Sequence, residues 1–191
     1  MYKLITALFM LQASLATAAN YELDKSHTAA NFDIAHMVIS TVNGHFSEID
    51  GKFAFDESSN KFSNLKIIVG AASINTNDEK RDKHLRSGDF FDVKKFPNII
   101  FKLKEAKVIK GKAVQIKGQF TMLGKELPIK GTLKYKGSID AYGVDVAAFQ
   151  LEGTIKRKDW GLTWNDTLDS GAILIGDDVE ISVEIQAKKV K

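Results

Sequence analysis

The sequence predicts an all-β domain in which antiparallel strands close on one another, with one short helix. Three observations predict it. Apolar and polar residues alternate with a period of two over most of the chain, short polar turns separate the alternating runs, and a single stretch looks helical. That helix is too polar to cover the apolar faces of eight strands, so the strands must bury those faces against each other, as a sandwich or as a closed barrel. Several runs extend nine or ten residues, beyond the usual length of about five or six, and a long up-and-down meander favours the barrel. An eight-stranded barrel has an interior that side chains just fill or that holds one small ligand.

The first eighteen residues are expected to lie outside this domain. Lys3 is followed by an apolar run from Leu4 to Leu15, broken only by Thr6, Gln12 and Ser14, and the run closes on Ala16-Thr17-Ala18. These are the features of a secretory signal peptide cut after Ala18, which leaves 19–191 as the barrel domain. A buried N-terminal helix is the alternative. The expected destination is the bacterial periplasm. No Cys follows the leader, so lipoprotein anchoring is excluded, and no second apolar stretch approaches membrane-spanning length, so stable membrane insertion is not expected.

Along the mature chain the strands follow in order. Phe32, Ile34, His36 and Val38 share one face, as do Phe53 and Phe55, then Leu65, Ile67 and Val69, then Phe101 and Leu103, then Val114 and Ile116. Longer runs are Leu127 to Lys136, Phe149 to Lys158 and Val179 to Ala187. Lys-rich wet faces discourage edge-to-edge pairing. Turns are expected at Asp56 to Asn60, at Lys110-Gly111-Lys112 and at Gly137-Ser138, and Met122-Leu123-Gly124-Lys125 reads as the tip of a hairpin. Asn77 to Ser87 reads as the helix, with Asn77 as its cap, acidic residues in the first turn and basic ones in the last.

Composition narrows the chemistry. The 191 residues contain no Cys, which excludes a disulfide scaffold, a thiol nucleophile and thiolate metal sites. Twenty-seven basic residues against 24 acidic ones are too balanced for a dedicated nucleic-acid binder. His27 and His36 lack metal-ligand spacing, Asp82 and His84 point to different sides of a helix, and no phosphate loop, nucleophile elbow or metalloprotease motif occurs, so neither metal nor cofactor is expected. The inward faces are dominated by Phe, Ile, Leu and Val, interrupted by Gly118, Gly131 and Gly153, where glycine leaves space or allows a sharp bend. His36 stands on an otherwise apolar face, and Arg81 and His84 stand on the helix. Each has a structural alternative, as a hydrogen-bonded core histidine or as a partner of neighbouring loops.

The chain also resembles the YceI family of bacterial polyisoprenoid-binding proteins. The similarity is carried by Tyr21 to Thr28, by Asn31-Phe32-Asp33-Ile34-Ala35-His36-Met37, by Gly44-His45-Phe46 and by Ser73-Ile74-Asn75-Thr76-Asn77. Arg81 to Asp92 and Phe96 to Phe101 carry it further, as do Gly118 to Gly124 and Ile155 to Leu162. Trp160 is a departure, standing where the family pattern leads us to expect Phe. The resemblance implies an extended, eight-stranded antiparallel, lipocalin-like barrel whose internal apolar tunnel binds an isoprenoid or acyl chain, with no established catalytic chemistry.

Together these readings point to a periplasmic carrier of a hydrophobic small molecule, a polyisoprenoid, an isoprenoid quinone-like lipid or a fatty-acyl amide, and not to an enzyme. Phe32, Ile34, Phe53, Phe101, Phe120, Leu133, Phe149 and Leu151 are expected along the tunnel, and His36, Arg81 and His84 at its polar end. A homodimer is compatible with the sequence. The rival readings are an enzyme on such a lipid, with His36 or His84 as general base, and a filled-barrel interaction module.

Overall fold

The computed structural model describes residues 18–166 and 173–190. Apart from Ala18, the expected leader lies outside the described residues. The strands are β1 (Ala19–Leu23), β2 (Ala29–His36), β3 (Ser40–Phe46), β4 (Ile49–Asp56), β5 (Lys61–Gly70), β6 (Ile74–Asn75), β7 (Asn98–Lys107), β8 (Ala113–Met122), β9 (Lys125–Ala141), β10 (Val144–Lys156) and β11 (Ile175–Lys189). The helix α1 (Glu79–Leu85) lies between β6 and β7.

These eleven segments make eight staves of one closed antiparallel barrel. Both β1 and β2 lie against β11, Leu23 opposite Ala187 and Ala30 opposite Val183, so together they form one long stave. On its other side β4 pairs with β1 and β3 with β2, and β5 and β6 in turn flank β4 and β3. From β7 to β11 each strand is a stave of its own, paired with its sequence neighbour. The pairing of β1 with β11 closes the ring.

The break between β1 and β2 is held by side chains. Asp24 accepts from the Ser26 amide and hydroxyl, meets the His27 ring at 2.9 Å and pairs with Lys188 at 2.9 Å. These contacts hold its carboxyl well below the ordinary carboxylate range, the Lys188 contact first, then Ser26 and His27. Across the gap the Thr28 hydroxyl donates to the Gln186 carbonyl at 3.1 Å and accepts from its amide at 3.3 Å, replacing a ladder step.

The barrel is packed solid at one end. There Tyr21, Phe53, Phe55, Phe62, Tyr135 and Phe149 form one aromatic cluster, with neighbouring ring centroids 4.6 Å apart for Phe53 and Phe62 and 5.0 Å for Phe62 and Phe149. Phe62 and Phe149 have no exposed surface. The Tyr135 hydroxyl donates to Glu57 at 2.6 Å, which supplies the partner that a buried phenol needs.

Four local expectations need correction. The helix is capped by Asp78, whose side chain accepts from the Arg81 amide, while Asn77 sits one residue earlier at φ +61°. Gly137 and Ser138 do not turn the chain. β9 runs through them to Ala141, and the register slips opposite Ala148/Phe149, so Gly137 belongs to a bulge. β10 stops at Lys156, because Arg157–Trp160 form a 3-10 turn that Gly161 ends at φ +99°. Val38 leaves the dry face of β2: it sits in the left-handed region of the β2–β3 turn with its side chain exposed.

Candidate functional site

The opposite end of the barrel is hollow. A cavity of about 510 Å3 is enclosed by inward side chains of every stave and roofed by α1 and the segment after it. On β2, Ile34, Phe32 and Ala30 follow one another down its wall, and on β11 Val179, Ile181 and Val183 do so. Period-two alternation explains this, since every second side chain of a strand meets the same space.

The roof is positioned by arginines and a buried aspartate. Arg86 donates to the carbonyls of Ala72 at 2.7 Å and Ile74 at 2.6 Å, which fastens the end of α1 to the stave of β5 and β6. Asp82, buried on the inner side of α1, accepts from the amide and hydroxyl of Thr76. Arg81 reaches the same residue, its Nε donating to the Thr76 hydroxyl and its Nη2 to the Thr76 carbonyl, both at 2.7 Å.

Among the residues expected along a tunnel, Phe32, Ile34, Phe101, Phe120 and Leu151 line the cavity. Phe53, Leu133 and Phe149 do not. They are buried in the packed half, so the space is blind at that end and not a through-tunnel. Alternation identifies the inward face correctly for all three, but their depth along the barrel places them below the cavity. The three expected polar residues are brought together at the helix end, where His36, Arg81 and His84 all border the space. His84 Nε2 lies 2.9 Å from an Asp89 carboxylate oxygen, with the rings of Phe90 and Trp164 edge-on at 5.0 Å. Among the described residues the Ser40 hydroxyl donates to the His36 backbone carbonyl at 2.9 Å, but no hydroxyl side chain bonds to the imidazole ring of His36 or His84, and no cluster of three metal-ligating side chains occurs.

The glycines act mainly through close approach. A Cβ on Gly118 would fall 2.3 Å from the ring of Phe101, so the glycine seats that ring on the cavity wall. Gly118, Gly131 and Gly153 all border the cavity, and a Cβ on Gly131 would fall 2.4 Å from the Glu152 carbonyl oxygen, where the neighbouring backbone passes close.

Two bordering residues lie outside the expected binding set. Arg157 is almost wholly buried, and its guanidinium donates to the carbonyls of Gly176, Leu162 and Trp164 at 2.6 to 2.8 Å, tying the segment after the 3-10 turn to the start of β11. Burial pushes its pKa down from the ordinary value, and Asp177, 3.6 Å away, opposes that shift. Trp164 is held against Phe90 and His84 at the same rim. The Arg157 motif was visible in the sequence, but a buried cation satisfied by backbone carbonyls leaves no pattern. Trp160 does not border the cavity. Its indole donates to the Phe120 carbonyl at 3.1 Å and its ring backs that of Phe120 edge-on.

Comparisons with known proteins agree with this geometry. The sequence profile of the YceI-like domain matches residues 21–187. A UPF0312 protein of Pectobacterium atrosepticum is 37% identical over 191 residues, which cover 98% of this chain and 96% of that one. The crystal structure of the Campylobacter jejuni YCEI protein superposes with a TM-score of 0.70 at 32% identity, covering 88% of this chain and 97% of that one. A polyisoprenoid binding domain from Saccharophagus degradans superposes with a TM-score of 0.63 at 12% identity, covering 89% and 98%, and so shares the fold.

Proposed function

The chain belongs to the YceI-like domain family, and from that premise we propose that it is a binding protein for a lipid whose apolar chain occupies the hollow half of the barrel, carried in the bacterial periplasm after removal of residues 1–18. The observation that carries the reading is the cavity itself, walled by aliphatic and aromatic side chains with its polar residues gathered at one end. Pockets of this kind bind by apolar burial and orient by a few polar groups. At about 25 cal/mol per Å2, burying roughly 500 Å2 of chain would contribute on the order of 12 kcal/mol before association and ordering costs. His36, Arg81 and His84 would face the polar end of the ligand, which could be a polyisoprenoid, an isoprenoid quinone-like lipid or a fatty-acyl amide.

What supports binding over catalysis at the rim is that, among the described residues, no hydroxyl side chain bonds to the His84 ring, which is paired with the Asp89 carboxylate, while Arg81 is committed to Thr76. Native mass spectrometry and lipid extraction of the purified mature protein test the proposal. An intact lipid released on denaturation supports the carrier. Turnover of added lipid would replace it by the enzyme, and an empty barrel refractory to isoprenoid and acyl lipids would replace it by an interaction module.

A further inference from the structure

The outer face of the barrel is electrostatically divided. β5, β7, β8 and β9 carry ten Lys and three acidic residues, whereas β10, β11 and β2 carry seven acidic residues and three Lys, a separation that the nearly balanced composition conceals. On the basic side the cations stand together in register. Lys52 of β4 lies opposite Lys66 of β5, which lies opposite Lys102 of β7, and Lys117 of β8 lies opposite Lys130 of β9. All five side chains are exposed, as is Lys104, two residues beyond Lys102. Glu126 pairs with Lys102 at 2.8 Å, but among the described residues Lys52, Lys66, Lys104, Lys117 and Lys130 form no ion pair. Like charges directly opposite on neighbouring strands destabilise a sheet. Lysines can serve to block an open sheet edge, but Lys66 stands on a strand paired on both sides, where there is no edge to block. Behind these lysines Ile67, Phe101 and Ile129 line the cavity, so the basic face is the outer wall of the hollow half.

We propose that this lysine face docks the barrel side-on to the anionic surface of a phospholipid bilayer. The inference goes beyond the carrier reading and does not depend on it. The choice of cation points to a diffuse anionic surface. Lys is a compact point charge on a flexible stem, whereas Arg suits the fixed, bidentate geometry of nucleic-acid and phosphoprotein sites. All three Arg of the chain lie at the cavity end, where each donates to backbone carbonyls, and the face itself holds none. Gln119 and Thr132 stand among the lysines, where a surface that stacks bases would need aromatic rings. Each Lys held near an anionic membrane strengthens association about fivefold. The acidic strands, on the other wall of the barrel, are repelled by the same surface and so orient the approach.

Co-sedimentation of the mature protein with vesicles tests the face. At about 0.01 M ionic strength, where charges act over ~30 Å, vesicles of phosphatidylglycerol and phosphatidylcholine in equal parts should bind it at least about tenfold more tightly than vesicles of phosphatidylcholine alone, and about 0.5 M salt should release it. Lys66→Gln combined with Lys117→Gln should weaken that binding about twentyfold. Both side chains are exposed and unpaired, so the fold should persist, as circular dichroism would verify. Lys83→Gln combined with Lys156→Gln removes the same charge from α1 and from the acidic side, and should weaken binding by less than about threefold. A protein that binds neither vesicle at low ionic strength, that binds both equally, or that the two double variants weaken alike overturns the docking face. So does a single-stranded oligonucleotide bound more tightly than the anionic vesicles at equal phosphate concentration, which would make the partner a nucleic acid. Docking is read without lipid uptake. A protein that docks and carries no lipid keeps this face and loses the carrier reading, whereas one that carries lipid and does not dock loses the face alone.

Discussion

Gly131 and Gly153 face each other across β9 and β10 and form the last pair before these two strands part toward the helix end. The environments of the two glycines differ. A Cβ on Gly131 would meet the Glu152 carbonyl oxygen at 2.4 Å, and one on Gly153 would meet the Lys130 carbonyl oxygen at 3.2 Å. Gly131→Ala should therefore destabilise the protein by about 1–3 kcal/mol through forced backbone movement, and Gly153→Ala by less than about 1 kcal/mol. Urea denaturation of the two variants checks the ranking. Equal costs would show that the close approach at Gly131 does not constrain the sheet.

The aromatic end should dominate stability. Phe62 has no exposed surface and contacts Phe53, Phe55 and Phe149, so Phe62→Ala should cost about 3–5 kcal/mol. Ile181→Ala, on the wall of the hollow half, should cost less than half of that in the ligand-free protein, because the side chain already faces open space. Denaturant midpoints with unchanged slopes would be the readout.

Alkaline pH should loosen the same end. Burial, reinforced by the hydrogen bond to Glu57, pushes the Tyr135 hydroxyl from 10.0 up to about 12. Its folded pKa lies above its unfolded one, so its contribution is intact below pH 10 and declines as pH rises toward 12, where only the unfolded chain ionises. Tyr135→Phe should flatten that part of the stability profile, which urea midpoints measured across the range would detect.

Acid should act at the break between β1 and β2. The Asp24 carboxyl is lowered from 3.8 by Lys188 first, then by Ser26 and His27. A lowered folded pKa gives stability that is complete above the unfolded value and is lost as pH falls below it. Asp24→Asn should remove this acid sensitivity and weaken the closing contact of β1 with β11. Hydrogen exchange at Leu23 and Gln186 would report both effects.

The two tryptophans should report differently on a ligand. Trp164 borders the cavity beside His84 and Phe90, whereas Trp160 is buried behind Phe120 and does not border it. Ligand uptake should change the emission of the unaltered protein, and Trp164→Phe should abolish most of that change. A response that persists in Trp164→Phe would place the ligand elsewhere.

Alternation made the barrel legible because a sheet with one dry face writes a period of two into its sequence, as in Val179 to Ala187. It fixed that Phe53, Leu133 and Phe149 point inward, yet it could not fix their level, which depends on how far each stave is shifted against its neighbours. The stagger that pairs Phe149 with Tyr135 and Ile185 is a long-range property of the closed ring. The joined staves were hidden for a related reason: β1 and β2 read as separate strands because Asp24 to Thr28 carries turn residues, and only their common partner β11 unites them. Asp78 and Asn77 are both good caps by residue type, so the choice between them rested on backbone geometry.

The division of the barrel into a packed half and a hollow half makes its properties separable. Phe149 and Ile155 lie on one strand, one in each half, about 20 Å apart along β10. Substitutions at such a distance usually combine additively. Pocket variants can therefore be assembled one residue at a time, each keeping its own effect on affinity, while the aromatic end maintains a constant reserve of folding free energy.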